Sequence, residues 1–171
     1  AIDELSQGKS STPPQIPQMA EADLDVVAYG ESVPAEKLAA SIPPTYIEAA
    51  DVRVRTYQRL NTAQTLAEVD ELGHELEDRF GPLPESVQNL LKTVRIRVAA
   101  TIGGLTRVRL YKGRAILEMK KADSTSQAPV QTSSIESTSP TAQLNELENL
   151  LVAEYTKNTQ NAQSYAEIPS D

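Results

Sequence analysis

The residues best suited to chemistry in this 171-residue chain are acids spaced along one segment between residues 65 and 80. Carboxylates at Glu68, Glu71, Glu75 and Asp78 recur at intervals of three and four, with Arg79 beside the last of them. At 100° per residue they share one side of a helix, where they repel one another and no lysine relieves them. A basic partner would relieve this repulsion, and the alternative is an ordinary solvated face. Both interpretations disfavour catalysis, because the carboxylates lie on a helix surface and not in a cleft.

Catalytic and metal-binding chemistry has little support elsewhere in the sequence. The chain contains no cysteine and one histidine, His74, which excludes disulfides, thiolate ligands and a histidine-built metal centre. Phosphate-binding loops, dinucleotide-binding glycine patterns, zinc-protease motifs and serine-hydrolase motifs are absent. His74 could act as a base, but a surface histidine is the simpler interpretation. We therefore expect a non-catalytic domain that binds no cofactor.

Charge distribution offers a second binding hypothesis. The net charge of −8 comes from two acidic flanks, each at −6, and a central region 51–121 at +4. Residues 92–121 contain nine basic side chains and one acid, Glu118, so the alternative function is a nucleic-acid-binding accessory domain. Aromatic side chains that could stack on bases are missing there except for Tyr111, which favours a solvated surface facing the acidic flanks. We expect no strong direct binding to DNA. No apolar run is long enough to span a bilayer, so we expect no membrane contact and a cytoplasmic protein.

Apolar spacing predicts three consecutive helices between residues 49 and 103. The first is predicted over 49–60, with Val54 and Tyr57 on its apolar side. The second follows a capping box formed by Thr65 and Glu68, and a left-handed Gly81 ends it. The third begins at Pro84 and ends at two glycines, 103 and 104. The apolar stripes of the second and third helices predict a core of Leu66, Val69, Leu72, Leu76, Phe80, Val87, Leu90, Leu91, Val94 and Val98.

The rest of the chain predicts a small sheet and a further helix. Two alternating segments, 105–111 and 114–120, flank a glycine turn and predict a β-hairpin, and short strands are predicted at 24–29 and 164–168. The Ser/Thr-rich segment 122–139 predicts a disordered linker. A fourth helix starts at Pro140, with one apolar side made of Leu144, Leu147, Leu151 and Tyr155. The fold class is therefore α+β, with helices packed on a small sheet that contains a β-hairpin, a flexible linker and a C-terminal helix.

One ten-residue run, ELEDRFGPLP at 75–84, resembles a family signature. It is similar to the E-L-x-D-R-F-G-x-L-P motif in the C-terminal domain of bacterial transcription-repair coupling factors, the Mfd family. Arg53, Tyr57 and Arg59 resemble that domain's first helix, and the run Arg95-Ile96-Arg97 resembles its third. The motif residues carried over as structural are Phe80, Gly81, Pro82, Leu83, Pro84, Arg53, Tyr57 and Arg59.

The resemblance implies a regulatory role within a larger DNA-repair protein. Members of the family are ATP-dependent DNA translocases that displace stalled RNA polymerase and recruit UvrA for transcription-coupled nucleotide excision repair. Their C-terminal domain docks on the N-terminal UvrB-like module and masks the UvrA-binding surface, an autoinhibitory contact. The matching docking residues are Glu75, Asp78 and Arg79. ATP would bind only in the upstream motor.

The resemblance covers about residues 24–121, and together with composition and apolar spacing it divides the chain into four regions. Residues 1–23 would be a linker from the upstream translocase module, and residues 24–121 the core of the C-terminal domain. Residues 122–139 would be a low-complexity linker, and residues 140–171 a C-terminal helix and tail.

Overall fold

The computed structural model describes residues 21–24, 38–111, 113–119 and 130–164. The order is one strand, three consecutive helices, three consecutive strands and a final helix, an α+β arrangement that confirms the predicted fold class. The elements are β1 (Glu21–Leu24), α1 (Ala50–Thr62), α2 (Leu66–Phe80), α3 (Glu85–Ile102), β2 (Leu105–Tyr111), β3 (Arg114–Met119), β4 (Val130–Ser134) and α4 (Pro140–Ser164). Of the predicted linker 1–23, residues 1–20 lie outside the described residues, and residues 21–23 lie in strand β1. Of the predicted strands 24–29 and 164–168, residues 25–29 and 165–168 lie outside the described residues, Leu24 ends β1 and Ser164 ends the helix α4. Within the described ranges, no helix combines the length and apolarity needed to cross a membrane.

Local side-chain chemistry sets the ends of α2. The Thr65 hydroxyl accepts a hydrogen bond from the Glu68 backbone N–H at 3.2 Å, as the capping box predicts. The Glu68 carboxylate reaches the N–H of Gln64 at 2.8 Å, one residue before the cap. At the other end, Gly81 has the expected positive φ of 87°, but its ψ of −170° is extended and not left-handed helical. The chain therefore leaves α2 in a conformation that only glycine adopts readily, and α3 starts four residues later.

The described strands form a four-stranded sheet in the order β1-β2-β3-β4. β2 and β3 make the predicted antiparallel hairpin, with Leu110 opposite Ala115 and a turn at Gly113, whose φ is 66°. β1 is parallel to β2, and β4 is antiparallel to β3. The predicted disordered linker over 122–139 is therefore wrong for residues 130–139. Main-chain pairing with β3 orders the polar strand β4, and the buried Ile135 anchors the residues after it.

Two apolar cores lie on opposite sides of α3, which contributes to both. The helical core joins α1, α2 and the segment before α1, and consists of Ile42, Ile47, Leu60, Ala63, Val69, Leu72, Leu76, Val87, Leu91, Val94 and Val98. The sheet-side core joins α3, the sheet and α4, and consists of Ile96, Ala99, Ala100, Leu105, Val108, Leu110, Ala115, Leu117, Ile135, Leu144, Leu147 and Leu151. The predicted fourth helix is thus present as α4, and it packs into the sheet-side core although the predicted domain core was drawn only to residue 121. The side chain of Tyr155 lies outside the described part of α4.

Most of the predicted core is buried, with instructive exceptions. Leu66, Phe80 and Leu90 are half-buried and pack against the helical core from its margin. Val54, predicted on the apolar side of α1, is 55% exposed. Thr56 takes the buried position instead, and its hydroxyl donates to the Val52 carbonyl at 2.9 Å. A satisfied hydroxyl can lie in a core, so residue type alone misplaced Val54, whereas Tyr57 and Leu60 do pack on the helical core as predicted.

Candidate functional site

Glu75 lies at the centre of an exposed ion-pair cluster that joins α1 to α2. One carboxylate oxygen accepts a hydrogen bond from Arg59 Nη1 at 2.7 Å, and the other accepts from Arg79 Nη1 at 2.9 Å. The side chains of both arginines are 55% exposed, and that of Glu75 is 35% exposed. Hydrogen bonds from Arg59 and then Arg79 lower the pKa of Glu75, so the carboxylate stays charged under mildly acidic conditions. Arg59, Glu75 and Arg79 are called the Glu75 cluster below.

The Glu75 cluster changes the interpretation of the acidic stripe. Arg59 is 16 residues before Glu75, on a different helix, and it supplies the positive charge that the stripe itself lacks. Asp78 is exposed and has no ion-pair partner among the residues that the structure describes. Of the three predicted docking residues, Glu75 and Arg79 thus contact each other, while Asp78 stands beside them. All three lie at the surface, as the helical spacing predicted.

The motif residues after the cluster form a rigid connection into α3. The Phe80 ring meets the Tyr46 ring edge-on, with centroids 5.9 Å apart, and the Arg79 guanidinium carbon lies 5.1 Å from the Phe80 centroid. Pro82 is exposed and Leu83 is half-buried against the helical core. Pro84 then occupies the N-cap position of α3. These contacts hold the end of α2, and with it Arg79, in a fixed orientation.

Two residues carried over from the family motif anchor the segment that precedes α1. Arg53 Nη1 donates to the carbonyls of Ile47 and Glu48 at 2.6 and 2.8 Å. The Tyr57 hydroxyl accepts from the backbone N–H of Ile42 at 2.8 Å. Their part in the described structure is therefore architectural.

Tyr46 has a role that sequence reasoning missed. Its hydroxyl lies 2.9 Å from both the Leu76 and the Gly81 carbonyl oxygens and donates its proton at the C-terminal end of α2. Burial, followed by the nearby charge of Glu77, raises the pKa of Tyr46, so the hydroxyl remains a donor. A tyrosine after a proline-rich turn gives little local signal for this contact, because its partners lie 30 and 35 residues away.

Two arginines of the basic stretch 92–121 are engaged in contacts between helices. Arg95 contacts Asp70 on α2 and Glu148 on α4, the latter at 2.6 Å. Arg97 faces α1 instead and donates to the Leu60 carbonyl at 2.8 Å, while burial lowers its pKa. Arg95 and Arg97 therefore join α3 to its neighbouring helices. Fewer basic side chains are left to bind phosphate groups than the sequence suggests.

His74 lies exposed at the rim of a groove of about 540 Å³ between α2 and α3. The groove floor includes Val69, Gly73 and Leu91, and charged side chains surround it. No group of three or more potential metal ligands occurs within the described ranges. His74 shares the groove with Asp70, Glu77 and Lys92.

Comparison with known protein families identifies the family to which this arrangement belongs. A family model described as the TRCF domain matches residues 37–130, more than half of the chain. The chain belongs to the TRCF domain family. The TRCF match begins shortly before the helical core, spans the Glu75 cluster and ends at the first residue of β4. The predicted resemblance is thereby confirmed, and the fold matches that of the C-terminal domain of a transcription-repair coupling factor.

Relatives of the TRCF domain are much longer proteins. The Haemophilus influenzae transcription-repair-coupling factor is 31% identical over 98 residues, which cover 57% of this chain and 8% of that protein. The Mycobacterium bovis protein of the same name is 38% identical over 69 residues, 40% of this chain and 6% of that protein. The chain thus spans under a tenth of these relatives. A crystal structure of the C-terminal domain of a transcription-repair coupling factor matches the fold with a TM-score of 0.57 at 15% identity, covering 82% of this chain and 97% of that one.

Proposed function

We propose that this TRCF domain regulates its parent protein by docking on the parent's UvrB-like N-terminal module and masking the surface that UvrA binds. The parent in this proposal is an ATP-dependent DNA translocase that displaces stalled RNA polymerase and recruits excision repair. The observation that carries the proposal is the exposed charged end of α2, where Asp78 and Arg79 stand beside the bridged carboxylate of Glu75. The domain itself contributes a binding surface and no chemistry.

The charges on this surface suit a contact that must also be released. Exposed ion pairs contribute about 0.2–1 kcal/mol each, and they set orientation and specificity more than affinity. Loss of three docking side chains would then cost roughly 1–3 kcal/mol of the docked state. Coupling free energies of this size change a partner's affinity by about five- to 150-fold. A few surface charges are therefore sufficient for a switch.

The test measures UvrA binding to the full-length parent protein. The variant E75A/D78A/R79A should bind UvrA more tightly than wild type, because the apparent affinity rises with the undocked fraction. A matched control is D51A/R55A, which removes another exposed ion pair, 2.5 Å long, from the neighbouring helix α1. The control should leave UvrA affinity unchanged, and the thermal midpoint of this domain should be similar in both variants.

Equal UvrA affinity in wild type and the triple variant, with the domain folded, would refute docking through these residues. The domain alone is further expected to show no ATP turnover and only weak binding to duplex DNA. Tight DNA binding at low salt that falls steeply as salt is added would favour the alternative, a nucleic-acid-binding accessory domain that uses the basic stretch.

A further inference from the structure

Glu75 has both carboxylate oxygens engaged within the domain, so it is poorly placed to pair with a partner. Arg59 holds one oxygen and Arg79 the other, at 2.7 and 2.9 Å. Two groups are left to face a partner. Arg79 uses only one terminal nitrogen to pair with Glu75. The Asp78 carboxylate has no ion-pair partner among the described residues. Glu75 thus acts as an internal bridge within the predicted docking surface.

We propose that Arg59 of α1 is a positioning residue for docking, acting through Glu75 on Arg79. This inference rests on the proposed function. An exposed ion pair four residues apart on one helix is weak, and a long side chain samples many rotamers without further restraint. The bond from Arg59 fixes the Glu75 carboxylate from a second helix. Arg79 is then restrained on one side by Glu75 and on the other by the Phe80 ring.

This arrangement makes the docking surface a product of two helices. The α1 side of the bridge is itself held in place, because Arg53 anchors the chain before α1 and Leu60 is buried one residue after Arg59. The Glu75 cluster contains two guanidinium groups and one carboxylate, so its net charge is positive beside the negative Asp78. A partner that fits this surface presents an acid to Arg79 and a base to Asp78.

The test is a double-mutant cycle in the full-length protein, with UvrA affinity as the readout. R59A and E75A should each tighten UvrA binding about two- to fivefold, the effect that loss of one surface ion pair produces. The double variant R59A/E75A should match E75A, because Arg59 acts only through the Glu75 carboxylate. R59K should restore most of the wild-type affinity, because Arg59 contacts Glu75 through a single nitrogen. R55A is the matched control, one turn away and paired only with Asp51 among the described residues.

Each failure has a distinct meaning. Additive effects of R59A and E75A would show that Arg59 touches the partner itself, which overturns positioning through Glu75. A thermal midpoint of the R59A domain that falls in step with the change in UvrA affinity would make Arg59 merely structural. Wild-type behaviour of R59A, while E75A/D78A/R79A still tightens UvrA binding, would overturn this inference and leave the proposed function intact. A triple variant without effect would overturn both.

Discussion

Replacing Leu147 by alanine tests whether α4 is part of the domain or an appended tail. The Leu147 side chain is fully buried between α3 and the sheet, together with Leu144 and Leu151. Leucine-to-alanine changes at fully buried sites typically cost about 2–5 kcal/mol, from lost burial plus the cavity left behind. Because Leu147 lies in the middle of the three leucines, where little relaxation can fill the space, we expect about 3–4 kcal/mol. Domains of this size are stable by about 5–15 kcal/mol, so the loss is a large fraction of the total.

Urea and thermal unfolding of the purified chain, followed by far-ultraviolet circular dichroism, measure this effect. L147A should lower the free energy of unfolding by the amount above and the thermal midpoint by about 10 °C, with little change in the urea m-value. The matched control is L150A, the same substitution on the same helix at a half-buried position, which should cost about 1–2 kcal/mol. If L147A and L150A cost equally little, under about 1 kcal/mol, the burial argument for α4 is wrong and the helix is dispensable.

Three further perturbations test the contacts around α2 and α4. Y46F keeps the ring contact with Phe80 but removes the donor to two carbonyls, so it should lower the free energy of unfolding in urea by about 1–3 kcal/mol. G81A meets no atom within 4 Å, yet its backbone conformation should cost about 1–3 kcal/mol in the same assay; an unchanged midpoint would exclude strain there. The hydroxyl of Ser137 and then the N–H of Glu136 lower the pKa of Glu146. Its stabilising effect is therefore present above the ordinary carboxyl range and is lost as pH falls through the lowered pKa. E146Q should be less stable than wild type near neutral pH, and the difference should shrink by about pH 3; a constant difference would contradict the assignment.

The sequence alone determined the features that depend on residues close together in the chain. The capping box at Thr65, the termination of α2 at Gly81 and the hairpin around Gly113 each depend on residues within a few positions of one another. Helical spacing likewise placed Glu75, Asp78 and Arg79 at the surface, because these residues lie away from the apolar stripe of α2.

The tertiary structure decided which contacts form between residues that are far apart in the sequence. Composition predicted disorder for the polar strand β4, because its main-chain pairing with β3 is not visible in its own residues. The helix α4 was predicted, but the surface on α3 that receives it is likewise not visible in its own residues. The same limit applies to the candidate site, where an acidic stripe that ends in one arginine becomes a cluster bridged to a second helix. Arg59 comes from another helix, and its charge reaches Glu75 only because both helices pack on the helical core. Coulombic and hydrogen-bonding energies depend on separation in space, and the fold alone sets that separation.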